Sequence, residues 1–225
     1  MPDAPTQFFS VAVDLVVLTI RDGQVNVLLV ERGNHPFRHR YALPGGFVRP
    51  DEDFGAAAAR ELQEETSIDG VPLEQIGAYG APDRDPRGRV ASVTYLAVAP
   101  NLPAPQAGTD AAAAKWVPLT ETGHLAFDHD MILGEALERA RRNLESTPVA
   151  LGFCPEQFTA DDLKAVYETF WDVPLDVREF EREIVGVEGF VVPVDRKPKW
   201  LGGRAAVYRR GEATKLHPPL RRPLG

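Results

Sequence analysis

Residues 45–68 read GGFVRPDEDFGAAAARELQEETSI, a stretch with several glutamates at short spacings. Strong helix formers fill its middle, and the acidic residues at 51–53 favour the first turn of a helix electrostatically. On such a helix Glu64 and Glu65 lie three and four residues beyond Glu61, so these carboxylates share one face. The stretch therefore predicts a helix over residues 54–66 with a crowded acidic face.

Crowded carboxylates repel each other, and a divalent cation relieves the repulsion because Mg²⁺ prefers oxygen ligands. Such a cation can neutralise a pyrophosphate and lower the pKa of a bound water. The alternative is a solvated glutamate-rich surface, which is the usual fate of such runs. The fixed spacing favours the metal site, with Arg60 and Glu52 bracing the ligands. The residues that define the spacing are Gly46, Glu52, Arg60, Glu61, Glu64 and Glu65.

Strand-like runs lie on both sides of this helix. FFSVAVDLVVLTI and VNVLLVER flank RDGQ, whose Asp-Gly is a hairpin signal. Further along, VASVTYLAV predicts a strand, AAAAKWVPL a short or edge strand, and DHDMILGEALERARRNLES an amphipathic helix. Residues 33–46, GNHPFRHRYALPGG, read as a basic segment rich in turn formers. The order of elements predicts an α/β domain.

The composition excludes several classes of protein. The chain has 225 residues, 44% hydrophobic and 26% charged, which is ordinary for a globular protein. It has no apolar run of about 18 residues and no secretory signal pattern, so we expect no membrane partner. The single Cys154 excludes an internal disulfide, is expected to be an inert thiol, and fits a reducing, cytoplasmic location.

The charge is divided unevenly along the chain. Residues 151–225 carry 12 basic and 12 acidic residues, so the preceding part holds the whole net charge of −8. Within that tail, residues 186–225 carry 9 basic and 3 acidic residues. STPVALGFCPEQ reads as a linker between these parts. We therefore predict two domains, residues 1–150 and residues 151–225, with different partners.

The tail has the outline of a winged helix-turn-helix. Thr159 and Asp162 form a capping-box-like start of one helix, and Asp176 can cap a second helix. FVVPVD and RAAVYR then read as two strands around the basic loop RKPKWLGG. Two helices followed by a β-ribbon predict this DNA-binding architecture.

The acidic stretch resembles the Nudix box, the signature of hydrolases that split a nucleoside diphosphate linked to another group. The resemblance implies a Nudix α/β/α sandwich with a mixed sheet over residues 7–147, followed here by the winged helix. It also implies Mg²⁺ or Mn²⁺ as cofactor. By the same resemblance the catalytic residues are Glu61, Glu64, Glu65, Arg60 and Glu52, and the metal ligands are Glu61, Glu64, Glu65 and the carbonyl of Gly45.

Ser67 departs from the family pattern, because it stands where the family usually has glycine. That position follows the helix, where a left-handed residue commonly ends it. A serine held in this conformation costs roughly 1–2 kcal/mol. We expect this cost to affect the end of the helix, not the metal ligands.

The loop GAYGAPDRDPRGRVASVTYLAV resembles the corresponding part of ADP-ribose-recognising Nudix proteins. Guanidinium groups match phosphate oxygens, so nearby arginines are candidates for phosphate contacts, although a solvated turn is the alternative. The candidate substrate-binding residues are Arg32, Arg38, Arg84, Arg87 and Arg89.

Several other polar and aromatic residues allow both a functional and a structural interpretation. Asp83 or Asp85 is a candidate general base, but either is equally at home in a turn. His124 and His129 are expected to be structural or exposed. Candidates for stacking on an adenine, or for the core, are Phe37, Tyr41 and Tyr79.

A Nudix domain followed by a winged helix resembles the NrtR-type regulators of NAD metabolism, also through FTADDLKAVYETF, VPLDVREFEREIV and GGRAAVYR. The resemblance implies a homodimer that senses ADP-ribose and binds palindromic double-stranded DNA. Glutamates at 179, 181 and 183 weaken attraction of the second helix to DNA, and the alternative is a dimerisation or docking module. The candidate DNA-binding residues are Arg178, Arg182, Arg196, Lys197, Lys199 and Arg204.

Two functions of different class therefore compete. One is Mg²⁺-dependent hydrolysis of ADP-ribose to AMP and ribose 5-phosphate. The other is a DNA-binding regulator of NAD metabolism in which ADP-ribose shifts the winged helices. The complete set of glutamates favours turnover, and the acidic second helix of the tail weakens the regulator hypothesis.

Overall fold

The structure of the chain is a computed structural model that describes residues 8–106, 111–194 and 206–223. Contacts between residues divide the chain into two compact units. The first comprises Met1–Leu18, Asn26–Val98 and Leu102–Ala136, and the second comprises Thr19–Val25, Ala99–Asn101 and Leu137–Gly225. The division falls within a helix. The domain boundary at residue 150 stays a prediction.

Most of a mixed, seven-stranded sheet lies in the first unit. Its strands are β1 (Ser10–Arg21), β2 (Gln24–Arg32), β3 (Tyr41–Ala42), β4 (Gly45–Phe47), β5 (Glu74–Tyr79), β6 (Val90–Val98) and β7 (Ala111–Pro118). They run in the order β3-β2-β1-β6-β5, with β4 paired to β1 and β7 paired to β2. β1 and β6 are parallel, whereas β4 pairs with β1 antiparallel. This arrangement places the short strand β4 beside the middle of the sheet.

Helix α1 (Phe54–Thr66) packs its alanine-rich side on this sheet. Ala57, Ala58 and Leu62 are buried in one cluster with Leu15 and Tyr95. The Asp53 side chain accepts the N–H of Ala56 at 2.8 Å and so caps the helix. The buried side fixes the rotation of the helix, and therefore the direction of its glutamates.

The second unit contains the predicted helix-turn-helix and ribbon. Its elements include the C-terminal half of α2 (His129–Ser146), then α3 (Ala160–Trp171), α4 (Val177–Gly186), β8 (Val191–Pro193) and β9 (Tyr208–Arg210). The predicted capping box of Thr159 and Asp162 is present, and Asp176 caps α4. Tyr167 packs its ring 5.2 Å from that of Phe180 and joins α3 to α4.

The sequence missed some local structure. The segment predicted as turns contains the short strands β3 and β4, because they pair with longer neighbours and do not depend on their own propensity. The predicted linker contains a 3₁₀ helix, Pro148–Phe153, that buries Pro148, Ala150 and Leu151. β5 was not predicted.

Within the described residues, every helix is too short or too polar to span a bilayer. The cytoplasmic location stays a prediction. Burial raises the pKa of the Cys154 thiol to about 12, which agrees with an unreactive thiol.

Candidate functional site

The Arg60 guanidinium lies at the centre of the acidic face of α1. It donates to both carboxylate oxygens of Glu52, at 2.8 and 2.5 Å, and to Glu61 and Glu64 at 2.6 and 3.1 Å. It also donates to the carbonyl of Phe47 at 3.3 Å. The hydrogen bonds from Arg60 are the largest reason why the pKa of Glu52 falls to about 2. Glu52 and Arg60 therefore tie the loop before α1 to its glutamates.

The glycine pair before Phe47 lies directly against these glutamates. The N–H of Gly45 donates to Glu65 Oε2 at 2.9 Å. A Cβ on Gly45 would lie 2.1 Å from the carbonyl oxygen of Val13, and a Cβ on Gly46 would lie 2.3 Å from Glu61 Oε1. Glycine is required at position 45, where a Cβ would meet backbone, whereas a Cβ at position 46 would displace the Glu61 carboxylate. The pair thus brings the backbone of β4 against the Glu61 and Glu65 carboxylates.

The glutamates do not converge on one point. Within the described residues, no group of three or more His, Cys, Asp or Glu side chains is placed to hold a metal ion. Glu61 and Glu64 accept from Arg60, while Glu65 is turned toward Gly45. The donor set fits a hard divalent cation chemically, because it consists of carboxylates, and one of them, Glu61, lies so close to Gly46 that a Cβ there would displace it. The ligand roles stay predictions.

Adjoining cavities lie beside the glycine pair. One, of about 320 Å³, has Glu61 and Glu65 in its wall. Another, of about 90 Å³, is lined by Asp14, Arg84 and Asp85. The residues that line both are Arg32, Leu43, Gly45, Gly46, Phe47 and Arg87. Two of the candidate arginines and two of the glutamates therefore face a shared space.

Arg87 is held rigidly at this space. Its guanidinium donates to Asp85 at 3.0 and 2.6 Å and lies 5.0 and 5.5 Å from the ring centroids of Phe47 and Phe127. Burial raises the pKa of Asp85, but the hydrogen bonds from Arg87 outweigh it, so the pKa is lowered. Asp85 is thus engaged in holding Arg87, and its role as general base stays a prediction.

Arg32 adds a second positive charge. It stacks 4.7 Å from the Phe127 centroid, and its Nε donates to the carbonyl of Pro36 at 2.9 Å. Burial, followed by the charge of Arg87, lowers the pKa of Arg32. Two guanidinium groups that repel each other favour binding of an anion between or beside them.

Arg84 lies in a buried network. It donates to Asp128 at 2.9 and 2.7 Å and to Asp14 at 3.2 Å. Ser92 also donates to Asp14, at 2.5 Å, and His129 Nε2 lies 3.5 Å from it. Burial lowers the pKa of Arg84, but these carboxylates outweigh it and the pKa is raised. Arg84 is therefore already paired with carboxylates, and its predicted phosphate contact stays a prediction.

The remaining sequence candidates of the first unit lie elsewhere. Arg38 and Asp83 are exposed, and Arg89 donates to the carbonyl of Gly80 at 3.3 Å while stacking on Phe9. Neither Arg38 nor Arg89 is among the described residues that line the two cavities.

The proposed adenine-stacking residues make other contacts. Phe37 packs edge-on against Phe127 at 4.9 Å, Tyr41 lies under Lys115, and Tyr79 donates to Glu135 at 2.6 Å.

The sequence analysis missed the cavity residues Asp14, Phe47 and Phe127. Asp14 carried a usable signal, because a charged residue in the middle of an apolar strand is rarely buried without a partner. Phe47 directly follows the glycine pair, but an isolated aromatic in a turn-rich segment gives no indication of the direction of its ring.

Of the candidate DNA-binding residues of the winged helix, some lie within the described ranges and others lie outside them. Arg178 and Arg182 are exposed on α4. Glu181 accepts the Tyr208 hydroxyl at 2.8 Å, and Glu179 pairs with Arg182 at 3.3 Å. The wing candidates Arg196, Lys197, Lys199 and Arg204 lie outside the described residues.

The fold and the site together define a class of protein: a mixed α/β sandwich with an acidic helix against a glycine turn, followed by a winged helix. The sequence profile of the NUDIX domain matches residues 9–139, and the chain belongs to the NUDIX family. The predicted fold class and family are confirmed. Hydrolases of this family generally use divalent metal ions.

Similar proteins fall into two groups. The chain is 34% identical over 202 residues to the "ADPR responsive transcriptional repressor NtrR" of Acinetobacter baylyi, covering 88% of this chain and 80% of the relative. It is 38% identical over 126 residues to the "ADP-ribose pyrophosphatase" of Methanocaldococcus jannaschii, covering 55% of this chain and 70% of the relative. Both predicted kinds of relative are thus found.

Superposition of this chain on the crystal structure of Shewanella oneidensis NrtR gives a TM-score of 0.73 and 29% sequence identity, covering 94% of this chain and 100% of that chain. A structure of that protein with a 27mer DNA has a TM-score of 0.72 and 29% identity, covering 94% and 99%. Its NUDIX domain, solved with ADP ribose, has a TM-score of 0.56 and 34% identity, covering 62% and 94%.

Proposed function

We propose that the first unit binds ADP-ribose through Mg²⁺ or Mn²⁺ and hydrolyses it to AMP and ribose 5-phosphate. The observation that carries this proposal is the shared space faced by Glu61, Glu65, Arg32 and Arg87. Similarity to an ADP-ribose pyrophosphatase and to a NUDIX domain solved with ADP ribose supports the choice of ligand.

Each group has a distinct task in this reaction. Glu61, Glu64, Glu65 and the Gly45 carbonyl would hold a cation, which would neutralise diphosphate charge and lower the pKa of water. Arg87 and Arg32 hold phosphate oxygens. Hydrolysis forms a bond between the oxygen of water and one phosphorus, and it breaks the bond between that phosphorus and the bridging oxygen. The other phosphate leaves with that oxygen, and the water's protons are shared between solvent and the products.

Release of AMP from ADP-ribose tests this activity. We expect turnover with Mg²⁺, abolition by a chelator, and a loss of about 10²-fold or more in Glu64→Gln and Glu65→Gln. Glu188→Gln, an exposed glutamate in the second unit, is the matched control. Absence of turnover across a panel of nucleotide sugars and both metals would exclude hydrolysis.

We further propose that the second unit binds DNA as part of a homodimeric regulator whose effector is ADP-ribose. The structural observation behind it is that Arg178 and Arg182 are exposed on α4, the second helix of a helix-turn-helix that is followed by the paired strands β8 and β9. Similarity over most of the chain to an ADPR-responsive repressor, and to a regulator solved with DNA, supports this function.

Selection from genomic fragments followed by fluorescence anisotropy tests DNA binding. We expect sequence-specific binding that weakens steeply with salt and changes with ADP-ribose. Arg178→Ala and Arg182→Ala should each weaken it about tenfold, whereas Arg139→Ala on α2 should not. A sedimentation experiment checks for two copies per palindromic site. Equal, weak retention of all fragments would remove this function.

A further inference from the structure

His129 has a defined protonation state in the structure. Its buried Nδ1 faces the backbone N–H of Leu43, at 2.9 Å. An N–H group can only donate, so Nδ1 must be the unprotonated acceptor. The proton of the neutral ring is then on Nε2, which lies 3.5 Å from Asp14 Oδ1. An imidazolium would lose the bond to Leu43.

The partner of Nε2 is itself held in place. Asp14, on β1, accepts from Ser92 of β6 and from Arg84 of the loop between β5 and β6. Asp128, which precedes α2, holds Arg84 from the other side. The charged groups that act on His129 are therefore Asp14, Asp128, Arg84 and Arg32. Burial is the largest cause that lowers the pKa of His129, which agrees with a neutral ring.

Leu43 begins the segment that ends in the glycine pair. The carbonyl of Pro44 accepts from Leu15 N at 2.8 Å, and Gly45 N donates to Glu65. Consecutive residues of this segment are thus attached to α2, β1 and α1. The attachment to α2 depends on the His129 side chain, whose protonation can change and which can be replaced by substitution.

We propose that His129 is a positioning residue, whose unprotonated Nδ1 holds Leu43 and thereby sets the glycine pair against Glu61 and Glu65. The effect of His129 on ligand binding rests on the proposed function, whereas its effect on the position of residues 43–46 does not. Loss of the acceptor would leave a buried N–H without a partner and loosen the turn.

Two substitutions of His129 distinguish the role of its hydrogen-bond acceptor from the role of its side-chain volume. His129→Asn keeps an oxygen near the position of Nδ1, whereas His129→Leu keeps volume and removes the acceptor. We expect amide hydrogen exchange at Leu43 and Gly45 to accelerate about tenfold or more in the leucine variant. The Kd for Mn²⁺, followed by electron paramagnetic resonance without nucleotide, should rise about tenfold. The asparagine variant should stay within about threefold of the wild type for both, and so should His124→Leu, whose side chain is 95% exposed.

A measurement on the wild-type protein tests the proposal even if the variants fail to fold. Nitrogen chemical shifts of the His129 ring should show an unprotonated Nδ1 and a protonated Nε2 at neutral pH. The opposite tautomer, or wild-type exchange at Leu43 in a folded leucine variant, overturns the proposal, as does equal loss in the asparagine and leucine variants. If the wild type binds neither Mn²⁺ nor ADP-ribose, the proposed function fails, while the exchange and ring measurements still decide the role of His129.

Discussion

Helices α1 and α4 both carry clustered glutamates, yet their carboxylates have different surroundings. On α1, Glu61 and Glu64 share one guanidinium, that of Arg60, and Glu65 meets the N–H of Gly45. On α4, Glu181 accepts a tyrosine hydroxyl. Helical spacing therefore places carboxylates on a face, whereas the loop opposite that face determines whether they can form a site.

The ion pairs of the two helices differ accordingly. Arg60 serves Glu52, Glu61 and Glu64 together, and Arg49 donates to Glu64 at 3.2 Å. More carboxylates than guanidiniums remain, which favours a cation. On α4 the exposed Arg182 pairs with Glu179 across one turn of the helix. Substitutions on each helix test whether α1 carries a site and α4 a structural face.

Gly46→Ala should have the largest effect. Its Cβ would lie 2.3 Å from Glu61 Oε1, so the carboxylate must swing away, whereas the backbone can stay in place. We expect turnover to fall about 10²-fold, because a displacement of about 1 Å at a catalytic group has such an effect. The midpoint of thermal unfolding should change little. Gly134→Ala, with nothing within 4 Å of the new Cβ, is the control. Wild-type kinetics in a folded Gly46→Ala protein would contradict the importance of this contact.

Glu181→Ala should affect stability and not catalysis. The substitution leaves the Tyr208 hydroxyl without its acceptor, and burial together with Glu181 raises the pKa of that hydroxyl to about 12. We expect the free energy of unfolding of the second unit to fall by about 1–2 kcal/mol. Glu183→Ala, at an exposed position of the same helix, should change it by less than about 0.5 kcal/mol. Urea unfolding followed by circular dichroism measures both, and equal effects would argue against a structural role for Glu181.

The fold could be predicted from the sequence where a pattern was local. The hairpin at Asp22, the helix over residues 54–66 and the capping box at Thr159 all follow from short-range chemistry. The short strands β3 and β4 could not be predicted, because β1 and β2 supply their hydrogen-bonding partners from distant positions. The 3₁₀ helix Pro148–Phe153 was likewise hidden in a sequence typical of a linker.

The candidate site was predictable to a similar degree. The glutamates and the glycine pair were identified together because the motif is contiguous. The arginines were chosen by residue type, which could not separate the buried Arg84 from the cavity-lining Arg87. Phe47 and Phe127 were missed because they are distant in sequence and only packing brings each ring near the Arg87 guanidinium.

Glu168 offers a pH-dependent test of a structural carboxylate. It accepts the N–H of Leu175 at 2.7 Å and pairs with Lys164 at 2.7 Å. Burial raises its pKa, but these partners outweigh it and the pKa is lowered in the folded state. The stabilisation is therefore present above the ordinary glutamate pKa of about 4.3 and is lost as pH falls through the lower folded value.

Glu168→Gln should accordingly lower the free energy of unfolding by about 0.5–1 kcal/mol at pH 7. The difference from the wild type should shrink as the pH falls below about 4. Thermal unfolding over a pH series measures it, with the exposed Glu188→Gln as control. A difference that is independent of pH would show that shape, not charge, explains the effect.

Ser67→Gly tests how the two helix ends differ and should leave ligand binding almost unchanged. Ser67 ends α1 with φ 58° and ψ 22°, and Asp172 ends α3 with φ 57° and ψ 41°. Each donates its N–H to the carbonyl four residues earlier, at 2.9 Å. Aspartate tolerates the left-handed conformation better than most residues, because its side chain can bond locally. We expect Ser67→Gly to stabilise the protein by about 0.5–1 kcal/mol and Asp172→Gly to be close to neutral, in urea unfolding. The Kd for ADP-ribose should stay within about twofold, since the left-handed end of α1 already forms with serine; a large gain in affinity would mean instead that serine misplaces Glu64 and Glu65.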